Sequence, residues 1–210
     1  MKYNQRIGAY LDLHVAVLLF GFTAILGALI QVSALEIVWW RVLFTAVSLV
    51  FLVQGGRSIA YLSGKQRLRF LGIGVIVALH WLCFYGAIKY SNASITLVCM
   101  ATSSFFTSLV EPLFLKKPFK TQDILLGLLV IPGMMLVVQN IDTSMWAGVW
   151  VGLLAALLAA IFASLNKKYI ETAHPYTITF LEMTGSWLFL TLVSPFLLYL
   201  GGVEVQWPSL

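Results

Sequence analysis

Apolar runs of about the length that crosses a bilayer recur from one end of this chain to the other. A hydrocarbon core of about 30 Å takes roughly 20 consecutive apolar residues to span as a helix. Seven such runs can be drawn, at Ala9–Gln31, Leu35–Gln54, Phe70–Tyr90, Ala93–Leu115, Ile124–Gln139, Trp146–Leu165 and Tyr176–Leu200. They leave no room for a soluble domain. Within lipid, backbone polar groups must be paired inside the segment, so these runs are helices. The short alternating strands of a β-barrel are not visible. Only 10% of the 210 residues are charged and 60% are hydrophobic, far from the roughly one-quarter charged composition of a soluble domain. The expected fold is an all-α, polytopic helical membrane protein with seven transmembrane helices.

Lysine and arginine orient the chain. Lys2 and Arg6 precede the first span. Arg57, Lys65, Arg67 and Arg69 follow the second, Lys116, Lys117 and Lys120 the fourth, and Lys167 and Lys168 the sixth. All fall on one side, which the positive-inside rule makes the cytoplasm. Glu36, Asp142 and Glu204 lie in the opposite connections. The N-terminus is expected to be cytoplasmic. The +5 formal charge is then an insertion signal, with affinity for anionic lipid, and not a nucleic-acid footprint. The first run is too long for a cleavable signal peptide and lacks a small-residue cleavage site. Cys83 and Cys99 both lie in apolar runs, where cysteine packs as a small hydrophobe.

Charges inside apolar helices are expensive and point to function. Arg41 stands seven residues past Ala34, and Glu182 stands seven residues past Pro175. Phe20–Leu26 can also be laid on Ala160–Asn166, a weak match of span one to span six. Five spans separate the equivalent helices, so they cross in opposite directions, which makes the repeat inverted.

Each polar position has a functional and a structural reading. Arg41 binds an anion in a central cavity or snorkels outward. Glu182 takes a proton or a cationic group, or bonds locally to Thr179 or Ser186. His80, mid-span, relays protons or packs with a hydrogen bond. Trp81 and Tyr85, four apart on one face, stack a flat substrate or fill the core. Trp39 and Trp40 suit an interfacial belt, and Lys89 a snorkelling helix end. Glu111 is expected to face Lys116 or Lys117. Asn92-Ala-Ser94 matches a glycosylation pattern but reads better as a helix start. The hydroxyl run from Thr102 to Ser108 lines a path or glues helices together. Gly148-x-x-x-Gly152 permits close helix contact within the fold or in a homodimer. Pro132-Gly133 is expected to kink span five. The three histidines lie on separate spans without metal-ligand spacing, and no phosphate loop, dinucleotide fingerprint or nucleophile motif appears, so no cofactor is expected.

These features resemble the EamA-like branch of the drug/metabolite transporter superfamily. The arginine seven residues into the second helix, with Ala34 where relatives carry proline, and Gly86–Leu97, similar to the family's Gly-Leu-Tyr hairpin region, carry the resemblance. Thr102–Phe106 replaces a helix-four proline of many relatives, and Lys116–Lys117 stands where they carry glutamate. The resemblance implies ten helices in two inverted five-helix repeats. Residues 1–141 would form the first repeat and 142–210 two helices of an incomplete second, so the chain reads as C-terminally truncated. It implies a secondary transporter, not an enzyme, exporting small organic metabolites such as amino acids from a midplane cavity in a bacterial inner membrane. Arg41, His80, Trp81, Tyr85 and Glu182 are the expected substrate-binding residues. The rival reading is a non-transporting membrane sensor or assembly subunit.

Overall fold

In the computed structural model, residues 2–53 and 57–201 are described, with side chains at 7–53 and 58–196. The side chains of Lys2, Arg6 and Arg57, the span-two terminus at Gln54, and Glu204 with its neighbours lie outside them. The described chain is all-α. Its helices are α1 (Lys2–Leu29), α2 (Ala34–Val50), α3 (Arg57–Ala60), α4 (Gly64–Tyr90), α5 (Ala93–Ala101), α6 (Ser103–Leu115), α7 (Thr121–Leu128), α8 (Val130–Val138), α9 (Trp146–Tyr169) and α10 (Pro175–Gly201).

Among the described residues, six segments are long and apolar enough to cross a membrane: Ile7–Leu29, Gly64–Tyr90, Ala93–Leu115, Thr121–Val138, Thr143–Thr172 and Pro175–Phe196. α2 falls short through its length. Its 17 helical residues make it one residue shorter than the shortest of the six, Thr121–Val138. Two helix starts are set by capping boxes. Ser33 Oγ accepts from Glu36 N–H at 3.2 Å, and the Glu36 carboxylate accepts in return from Ser33 N–H at 2.8 Å. Ser63 and Gln66 repeat the arrangement, so α4 starts at Gly64 and not at Phe70, and takes Lys65, Arg67 and Arg69 into its first turns. Asn92 caps α5, its Oδ1 accepting from Ile95 N–H at 2.9 Å, in keeping with the helix-start reading.

Two of the apolar segments are interrupted. α5 gives way to α6 at Thr102, whose N–H and Oγ1–H both turn back to the Cys99 carbonyl. α7 gives way to α8 at Leu129, three residues before Pro132. Proline supplies no N–H for the carbonyl four residues back and crowds it, which accounts for the break. The helix is thus divided at Leu129, one turn before the Pro132-Gly133 pair at which a kink is expected. The two interrupted segments lie side by side. α6 packs on α7, with Gly127 against the Phe105 backbone, and α5 packs on α8 through Ile95, Cys99, Met134 and Val138.

α4 is the central helix, with α9, α10, α2, α5 and α1 packed around it. One core cluster joins Val38, Val42, Phe84, Tyr85 and Leu190 near its C-terminal half. A second joins Phe70, Ile73, Val77, Ile178 and Leu181 near its start. Small residues set the closest approaches. A Cβ at Gly74 would overlap the Glu182 carbonyl oxygen, and one at Gly185 would overlap the Leu71 carbonyl oxygen, so α4 and α10 cross backbone to backbone. Gly148 lies against Ser91 and Ala87 O, and Gly152 against Cys99, so this pair serves contact inside the fold. The first turns of α4 and the last turns of α6 and α9 meet at one end. There Arg69 lies over the Tyr169 ring at 4.0 Å, and Lys167 pairs with Glu111 at 2.5 Å. Glu111 thus finds Lys167 rather than Lys116 or Lys117, because α9 packs along α6 while Lys116 leaves the helix in a left-handed conformation at φ 54°.

Candidate functional site

Three of the five expected site residues come together. Arg41, on α2, donates from Nη1 to Tyr85 Oη at 2.8 Å, and its Cζ lies 3.7 Å from the centre of the Trp81 ring. Trp81 and Tyr85, one turn apart on α4, are stacked at 5.8 Å with planes 27° apart. The arginine is half-buried and Tyr85 is buried. Gly27 on α1 makes room for the phenol: a Cβ there would stand 2.5 Å from Tyr85 Cε1. A cavity of about 310 Å³ opens beside the guanidinium, bounded by Thr23, Gly27, Glu36, Trp40, Arg41 and Tyr85.

The electrostatics of Arg41 are unusual for an arginine within an apolar helix. An unpaired guanidinium at a helix centre costs about 3 kcal/mol on insertion scales. A cation over a desolvated indole recovers about 2 kcal/mol, and a hydrogen bond to a charged group roughly 1.5–3 kcal/mol. Trp81 and Tyr85 therefore hold the charge without neutralising it. Among the described residues the only ion pair is Lys167–Glu111, so Arg41 has no carboxylate within 4.0 Å. One of its N–H donors is matched to a side chain, and the guanidinium fork keeps others that fit a carboxylate bidentately.

His80 faces the other way. It is 4% exposed, and its Nδ1 lies 2.8 Å from Ala155 O on α9. A carbonyl can only accept, so Nδ1 carries the hydrogen. The ring is edge-on to Phe162 at 5.3 Å and to Trp81 at 5.1 Å. His80 therefore backs Trp81 and ties α4 to α9, outside the cavity beside Arg41.

Glu182 is separate again. Its backbone lies against Gly74, whereas Arg41 meets Tyr85, and these two α4 positions are 11 residues apart. At 1.5 Å per residue that is about 16 Å along the helix, too far for direct pairing. Neither local partner expected from the sequence is used by the carboxylate. Thr179 Oγ1 donates to Pro175 O, and the Ser186 hydroxyl is shared between Gly74 O at 2.6 Å and Glu182 O at 2.8 Å. Oε2 instead accepts from Asn166 Nδ2 on α9 at 3.3 Å. Asn166 lies one residue past Leu165, the expected end of span six, and is helical because α9 runs on to Tyr169.

Of the remaining positions, Lys89 donates to Ile30 O at the end of α1, tying that helix down rather than simply reaching for the interface. Trp39 points inward and donates to Thr191 Oγ1 on α10 at 2.9 Å, while Trp40 is exposed and stacks on Phe44.

A bundle with six helices long and apolar enough to cross a bilayer, among the described residues, is that of an integral membrane protein. A family profile matches residues 8–139, and the chain belongs to the EamA-like transporter family. Family membership makes it a membrane transporter of small molecules and not an enzyme. No curated protein and no solved structure matches the chain.

Proposed function

We propose that this transporter carries small organic metabolites bearing a carboxylate, amino acids among them, and binds them at Arg41, Trp81 and Tyr85. The observation that carries the reading is a half-buried guanidinium held only by an indole face and a phenol beside a cavity. Arg41 grips the carboxylate. Tyr85 fixes the direction of its fork, Trp81 covers its apolar face, and His80 supports Trp81 from behind. Glu182, on α10 where it packs against α4 at another level, is a second ionisable group.

The wider architecture in this reading has seven crossings, with α2 spanning by means of the turn Phe51–Val53 beyond its last helical residue. Residues 1–141 form one repeat and 142–210 part of an inverted second. The matched stretch 8–139 closely follows the first of these and so supports the division. The clustering of Arg69, Lys167 and Glu111 at one end supports a single basic, cytoplasmic side. Alternating access rocks one repeat against the other around the Arg41 cavity. Export, and a bacterial inner membrane, follow from the family resemblance.

The test is counterflow of radiolabelled amino acids into liposomes containing the purified full chain. Arg41→Ala is expected to raise KM on the order of 10- to 100-fold, the worth of a charge-assisted hydrogen bond. Arg41→Lys keeps part of the binding. Counterflow unchanged in Arg41→Ala removes the site.

A further inference from the structure

Between α9 and α10, Glu182 and Asn166 form a pair that the anion site does not use. Glu182 is 4% exposed, and its Oε1 is buried without a hydrogen-bond partner in the protein. Asn166 Oδ1 is buried and unpartnered too. Both atoms belong to planar groups already joined by the 3.3 Å bond from Nδ2 to Oε2. Two buried acceptors without a donor are a costly arrangement, since each forfeits its hydration unrepaid.

A single proton supplies what is missing. A carboxylate is acceptor-only, whereas a carboxylic acid has one O–H donor. Protonated on Oε1, Glu182 can donate to Asn166 Oδ1 while Oε2 goes on accepting from Nδ2. A carboxylic acid and a primary amide complete such a two-bond ring only in the acid's neutral form. We infer that Glu182, paired with Asn166, is a reversible proton-binding site of this protein, distinct from the Arg41 cavity.

Two observations favour a proton over a metal cation. A hard cation takes about six or more oxygen ligands. The pair offers only two unpartnered oxygens, and the neighbouring Gly74 and Glu182 carbonyls already accept from the Ser186 hydroxyl. The charged and titratable groups on the surrounding elements are also engaged elsewhere. On α4, Arg69 lies over Tyr169 and His80 bonds Ala155 O. On α9, Lys167 pairs with Glu111 of α6, and Lys168 lies 5.5 Å from the Tyr169 ring. On α2, Arg41 is held by Tyr85 and Trp81. None of them makes an ion pair with Glu182. The carboxylate gains a proton to become the acid and returns that proton to water. The transport reading, on which this one use rests, makes it the coupling ion.

The experiment is infrared spectroscopy of the full chain in phosphatidylcholine vesicles, titrated from acid to alkaline pH in sodium or potassium chloride. It reads the proton without any transport, so failure of the Arg41 reading leaves it intact. The expected result is a carboxylic-acid C=O band that titrates reversibly and is lost in Glu182→Gln, a near-isosteric change that keeps an amide partner for Asn166. In Asn166→Leu the band persists but moves to higher frequency, because its carbonyl loses the N–H donor. That variant carries the test if Glu182→Gln does not fold. The proposal is overturned by the absence of a titrating band that depends on Glu182, by a band indifferent to Asn166→Leu, or by loss of the band when sodium replaces potassium.

Discussion

Gly72 and Gly74 lie two residues apart on α4, yet alanine at each is expected to act in opposite directions. Around Gly72 there is nothing within 4 Å of an added Cβ, so Gly72→Ala adds only helix propensity, about 1 kcal/mol of stabilisation. At Gly74 the added methyl overlaps the Glu182 carbonyl oxygen and stands 2.9 Å from the carbonyl carbon. That obstacle is backbone, fixed by the α4–α10 crossing and by the Ser186 hydroxyl shared between Gly74 O and Glu182 O. No rotamer relieves it, and overpacking of this kind costs about 1–3 kcal/mol. Helix propensity favours alanine equally at both positions, so the two variants should differ by the overpacking cost alone, about 1–3 kcal/mol. At roughly 2–4 °C per kcal/mol for a chain of this size, their melting points should lie roughly 2–12 °C apart, with Gly74→Ala the lower. Thermal unfolding of the purified proteins in one detergent, followed by tryptophan fluorescence, reads the difference directly. Equal midpoints, or a more stable Gly74→Ala, would refute the close crossing and with it the placement of Glu182.

Tyr85→Phe keeps the stack on Trp81 but removes the hydroxyl that orients Arg41. Amino-acid counterflow should show KM raised about tenfold with little change in thermal midpoint. Asp142, at the turn before α9, accepts from the Ser144 backbone N–H at 2.8 Å, and this bond, with the Ser144 hydroxyl nearby, holds the carboxyl below its ordinary range. A depressed folded value contributes stability above the unfolded value, and that contribution is lost as pH falls through the folded one. Carbon NMR of labelled aspartate should show its titration midpoint below that of an unstructured aspartate, moving back toward it in Ser144→Ala.

The apolar runs made the helical membrane class legible because length and hydropathy are local properties. The start of α4 was not found from them, because Lys65, Arg67 and Arg69 interrupt the apolar run while Ser63 and Gln66 cap the helix before it. The Ser-x-x-Gln spacing was the available signal. The approach of Arg41 to Trp81 and Tyr85 could be anticipated only as three polar or aromatic residues within spans. Their contact depends on Gly27 and on the α2–α4 packing. The partners of Glu111 and of the Glu182 carboxylate, Lys167 and Asn166, both arrive from α9, whereas sequence spacing points to Lys116 or Lys117 for the first and, in the structural reading, to Thr179 or Ser186 for the second. Sequence spacing ranks neighbours on one helix, but it does not say which helix lies alongside.

The breaks at Thr102 and Leu129 have a mechanical consequence. Helix stiffness comes from an unbroken ladder of hydrogen bonds, and sharp bends concentrate where that ladder is interrupted. Here two neighbouring rods are notched, and each half is matched to a half of the other: α5 with α8, α6 with α7. The notches of the two rods therefore lie alongside one another, and the unbroken α9, packed on both α5 and α6, splints the crease they share.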